Sequence, residues 1–101
     1  MGSDPNEAPS EGYTVVVDDN SHYQDPDYRR VITGFATADE ALQKCRSIVD
    51  ACLAECAEPG DTADQILRGY QFYGDDPWIR GSDVRFSAWD YAEENAHRFV
   101  K

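Results

Sequence analysis

Basic charge is what this chain has least of. Twenty Asp and Glu stand against nine Lys and Arg, a formal net charge of −11 at pH 7. A nucleic-acid binder needs a basic footprint to displace counterions from phosphates. Here the seven arginines are scattered and only Arg29 and Arg30 are adjacent, so no nucleic-acid partner is expected. The same negative field repels anionic membrane surfaces. No apolar run approaches the ~18–20 residues that span a bilayer, so no membrane partner is expected either. Met1–Gly12 has no apolar stretch and begins acidic, which predicts a flexible polar lead rather than a signal peptide.

Enzymatic signatures are missing too. The chain has no Gly-x-Gly-x-x-Gly, no Gly-rich phosphate loop ending in Lys, no Gly-x-Ser-x-Gly and no His-Glu-x-x-His. Its two histidines, His22 and His97, are too few for a histidine-rich metal site. The three cysteines, an odd number, argue against a disulfide framework and for a reducing, cytoplasmic setting. Cys45 and Cys52 lie two helical turns apart, about 10.5 Å along the axis. One zinc ion needs each thiolate within about 2.3 Å. The thiols instead share the apolar stripe of Ala38, Ala41, Ile48 and Val49, where free cysteine acts as a small hydrophobe. No metal, cofactor or catalytic residue is assigned.

Three helix starts are written clearly: Thr37-Ala-Asp-Glu40, Thr62-Ala-Asp-Gln65 and Ser87-Ala-Trp-Asp90. In each, a hydroxyl can cap the first turn while the residue three positions on reaches back. The first helix is predicted from Ala38 to Ala57, ended by Glu58-Pro59-Gly60. The second runs from Ala63 to Phe72 or Tyr73 and buries Ala63, Ile66, Leu67 and Tyr70. Phe72 falls off that stripe and is expected under the following loop. The third runs from Ala88 to the end, burying Trp89, Ala92, Ala96 and Phe99.

Tyr13-Thr-Val-Val-Val17 is β-branched and reads as a strand, stopped by Asp18-Asp19-Asn20. Arg30–Phe35 is its antiparallel neighbour, with Gly34 as a bulge candidate. Tyr73-Gly-Asp-Asp-Pro77 reads as a turn. Trp78–Arg80 and Val84–Phe86 are extended candidates either side of Gly81-Ser82. The predicted fold is α+β, ordered β-β-α-α-β-α: a small antiparallel sheet of two to three strands with three helices on one face. Residues 13–101 form one domain.

Tyr13-Thr-Val-Val-Val-Asp-Asp-Asn20 with His22-Tyr23, the Gly74-Asp-Asp-Pro77 stretch and Phe86-Ser-Ala-Trp-Asp-Tyr-Ala92 together resemble a family of small bacterial proteins with no assigned activity. The resemblance covers most of the chain after residue 12. It implies a bacterial, intracellular, single-domain protein and names no substrate.

Two functional expectations follow. The first is protein association through Tyr70, Phe72, Tyr73 and Trp78, since aromatics with few lysines nearby suit interface centres. The partner is a second copy of the chain or a basic protein. The alternative is a small metal- or ligand-binding protein or enzyme. It would use Asp18, Asp19, Asn20, His22 and Tyr23 together with Asp75, Asp76 and Trp78. That alternative requires the two acidic stretches to meet in one concave site. The plainer reading of both stretches is turn chemistry.

Overall fold

The computed structural model describes residues 12–22, 26–80 and 84–101. Tyr23, residues 1–11 of the expected lead and the Gly81-Ser82 turn lie outside them. Strand β1 (Tyr13–Asp19) is central in a three-stranded antiparallel sheet, between β2 (Arg30–Phe35) and β3 (Asp75–Arg80). Helix α1 (Ala38–Cys56) packs against all three strands, and α2 (Ala63–Tyr73) and α3 (Ala88–Asn95) pack on α1. The element order β-β-α-α-β-α and the α+β class are those the sequence predicts.

The helix starts behave as their chemistry requires. Thr37 and Thr62 each accept from the N3 backbone N–H, and Glu40 and Gln65 reach back, completing two capping boxes. Ser87 Oγ also accepts, from Asp90 N at 3.2 Å. No return bond comes from Asp90, whose side chain is a methylene shorter than glutamate.

Four expectations change. The stretch 73–77 is not a turn: α2 ends at Gly74, and β3 already begins at Asp75. Gly74 is needed for close approach, since a Cβ there would lie 2.3 Å from Tyr70 Cδ1. Pro77 is tolerated because β3 is the outermost strand in the order, where the missing N–H interrupts no ladder. Val84–Phe86 forms no strand but leads directly into α3. Trp89 is 44% exposed and Ala88 takes its place on the buried stripe, while Ala92 and Ala96 are buried and Phe99 partly buried, as the sequence predicts. Phe72 lies at the surface instead of under a loop. The bulge does occur: the β1–β2 register slips between Tyr13 and Val15, opposite Gly34, which holds φ +91°.

Two clusters make the core, joined by the single stripe of α1. Ala41 and Cys45 pack on Val15, Val17 and Ile79 of the sheet. Val49, Leu53 and Ala57 pack with Ile66 and Tyr70 of α2 and the alanine stripe of α3. Burial pushes the Cys45 thiol up to about 11, and raises Cys52 and Cys56 as well. All three are free thiols with little thiolate at neutral pH, the condition of inert packing cysteines.

Candidate functional site

The two acidic stretches do meet. In the β1–β3 ladder Asp18 pairs with Asp76 and Asp19 with Asp75. Because side chains alternate along a strand, neighbouring rungs face opposite ways. Asp19 and Asp75 share the parity of Val15, Val17 and Ile79, the face packed on α1. Asp18, Asp76 and Trp78 share the other face. The acids are therefore adjacent in space yet split across the sheet, and do not line one concave site. Among the described residues, no group of three or more His, Cys, Asp or Glu side chains is placed to hold a metal ion.

Most of these groups are engaged by the fold itself. Arg29 Nε donates to Asp18 Oδ1 at 2.7 Å, and the Trp78 indole N–H donates to Asp18 Oδ2 at 3.0 Å. The Arg29 guanidinium lies 5.8 Å from the Trp78 ring centre, so ion pair, hydrogen bond and cation–π contact close a triangle. On the α1 face, Arg30 Nη2 donates to Asp75 Oδ2 at 2.7 Å. Burial nevertheless raises the Asp75 carboxyl, Arg30 opposing it. Asp19 Oδ1 accepts from Ser21 N and Ser21 Oγ, which lowers its pKa. His22 Nδ1 sits 3.4 Å from Asp19 Oδ2, and its ring stacks on Tyr28 with centroids 3.7 Å apart.

Backbone atoms tie this end into the core. Asn20 donates from Nδ2 to the Tyr70 carbonyl at 3.0 Å and from its N–H to the Gly74 carbonyl at 2.9 Å. The fully buried Tyr70 donates its hydroxyl to the Asp75 carbonyl at 2.6 Å. The Asp75 N–H points at Cys52 Sγ, 3.4 Å away. Asp76 is the exception. Its carboxylate has no hydrogen bond or ion pair among the described residues. Burial, then repulsion from Asp18, pushes it up to about 6.

The aromatic quartet divides three ways. Tyr70 belongs to the core and Trp78 lies half-buried on the sheet, while Phe72 and Tyr73 are 63% and 77% exposed. Their rings are 6.2 Å apart in a tilted pair. Tyr73 also borders a hollow of about 150 Å³ with Cys52, Glu55, Cys56 and Gly74. Sequence reasoning did not place Glu55 here. Its only signal was its position one turn after Cys52, and the packing of α2 on α1 does the rest.

No protein-family model matches the chain, and the comparisons found neither a curated protein nor a solved structure similar to it.

Proposed function

We propose that the protein works by association, docking a basic segment of a partner protein at the C-terminal end of α2. The supporting observation is the adjacent pair Phe72 and Tyr73, two large rings held at the surface with Glu55 beside Tyr73. Exposed aromatic faces attract Lys and Arg through their quadrupoles. The last turn of α2 carries no basic residue, so the negative end of its dipole is unneutralised and adds to the attraction. Asp19 and Asp75 lie on the same side of the sheet as α1, close enough for Glu55 and Asp19 to act on the Asp75 carboxyl. A second copy of the chain carries the same −11 charge, so charge favours a basic partner over a homodimer. We place the protein in the cytoplasm, where its three free thiols stay reduced.

The test is an amide NMR titration with a polyarginine peptide at two salt concentrations. Saturable shifts should centre on Glu55, Phe72, Tyr73 and Asp75 and weaken with salt. Phe72→Ser with Tyr73→Ser should reduce affinity about fivefold or more while leaving the fold intact. Shifts spread evenly over the acidic surface and indifferent to the double substitution would sink the reading.

A further inference from the structure

Between the N-terminal half of α1, the 85–87 segment and α3 lies a cleft of about 400 Å³, whose lining includes none of the acids at 18–19 and 75–76. Its apolar lining is Leu42, Phe86 and Tyr91. The two rings sit 5.7 Å apart. Phe86 packs against both core clusters, and Tyr91 donates its hydroxyl to Asp50 Oδ1 at 2.9 Å. This wall is pre-formed.

Four charges border it: Arg46 and Arg85, and on α3 Asp90 and Glu94. Among the described residues, no hydrogen bond or ion pair engages either guanidinium or either carboxylate. Arg29, Arg30 and Arg98 each meet a carboxylate, while Arg68 and Arg80 stand apart on the surface and meet none among the described residues. What marks Arg46 and Arg85 is the cleft they share with two acids and an apolar wall. Here two cations and two anions share one cleft without meeting. An anionic ligand would bring its charge towards Asp90 and Glu94, and a cationic one towards two guanidiniums. A molecule carrying both charges on one carbon, with an apolar body, suits all of them.

We propose that this cleft binds a free α-amino acid with a large apolar side chain. The carboxylate engages Arg46 and Arg85, the ammonium turns to Asp90 and Glu94, and the side chain lies on Leu42, Phe86 and Tyr91. Guanidinium forks match carboxylate geometry, and the volume falls within the range of small-molecule sites. The charges are exposed and screened, so the dissociation constant is roughly millimolar, the ordinary efficiency of so small a ligand. This site is independent of the docking surface at Phe72 and Tyr73.

The experiment is an amide NMR titration of the whole chain with L-phenylalanine, 3-phenylpropionate, phenethylamine and the dipeptide Phe-Phe. L-Phenylalanine should give saturable shifts at residues 42–46 and 85–94. Removing its ammonium or its carboxylate should each weaken binding about tenfold, the weight of a charge-assisted hydrogen bond. Arg46→Gln with Arg85→Gln should erase the advantage of phenylalanine over phenethylamine. Absence of saturable shifts, or half-ligands binding as tightly as phenylalanine, overturns the proposal. A dipeptide that binds more tightly also overturns it, and assigns the cleft to peptides. The half-ligand comparison uses the unaltered chain, so it decides even if the double variant does not fold.

Discussion

At the β1–β3 end of the sheet, Arg29 and Arg30 sit 2.7 Å from Asp18 and Asp75, and Trp78, Ser21 and Tyr70 take up other acceptors there. In the cleft beside α3, Arg46 and Arg85 share a lining with Asp90 and Glu94, and none of the four has a partner among the described residues. Both regions gather charges of both signs, but only the first spends them on the fold. Residue types that look chemical in a sequence are often the ones a small domain uses to close its own ends. Groups left unmatched beside a pre-formed apolar wall are the ones available to something else.

The largest effect that would break this contrast is at Tyr70. Its ring fills the helical core while its hydroxyl and carbonyl hold the acidic end in place. Tyr70→Ala should cost about 3–5 kcal/mol, as large-to-small changes of buried aromatics do. Tyr70→Phe should cost only about 1 kcal/mol, for the lost hydrogen bond. Urea denaturation measures both. If the alanine variant lost less than the phenylalanine variant is expected to lose, the acidic end would not be anchored through the core. Next comes Gly74→Ala. The new methyl meets both the Tyr70 ring and its carbonyl, 2.8 Å away, and neither has room to move. Overpacking of this kind costs about 1–3 kcal/mol, read from the same denaturation midpoint.

Asp76 extends the contrast, because among the described residues it is the one acid of its cluster that the fold leaves unpartnered. Its carboxyl rises from 3.8 to about 6. The folded state therefore holds a proton that the unfolded chain has already released. The contribution of Asp76 to stability is fullest below about pH 3.8 and is lost as pH rises towards 6. Asp19 runs the other way: its lowered pKa favours the fold above its ordinary range and loses that support in acid. Asp76→Asn should stabilise the protein at neutral pH by on the order of 1 kcal/mol, discounted for partial exposure. It should also flatten the pH dependence of the urea midpoint between pH 4 and 6. A variant with unchanged slope in that window would place the titration elsewhere.

How much of this was readable beforehand depends on the range of the interaction. Helix starts are local, so Thr37, Thr62 and Ser87 announced them, and the Val15–Val17 run announced the central strand. The turn expected at Tyr73–Pro77 failed because both of its turn signals have long-range reasons. Gly74 makes room for Tyr70, and Pro77 sits where its missing N–H is harmless. Ala92 and Ala96 were legible on the buried side of α3, but Trp89 was chosen over Ala88, about 100° away around the helix, because a small methyl is a weaker apolar signal than a large ring. The acids at 18–19 and 75–76 were singled out as residues, but their register and their division between two faces belong to strand pairing. The cleft was invisible. Arg46 and Arg85 are 39 positions apart, and nothing in either local segment says they meet.

The smallest effect separates the two regions most directly. Arg30→Gln removes the partner of Asp75, a carboxylate whose burial already raises its pKa, and it should cost about 0.5–1 kcal/mol, the upper part of the range for partly exposed pairs. Arg85→Gln removes an equal charge from a site where it pairs with none of the described residues, and it should fall within about 0.5 kcal/mol of the parent. Paired denaturation curves at low and high salt make the comparison. Salt should narrow the gap, since an exposed pair is screened and an unpaired charge has no pair to lose. Equal costs at both positions would mean that Arg85 is engaged in solution, and the cleft would then be structural like the acidic end.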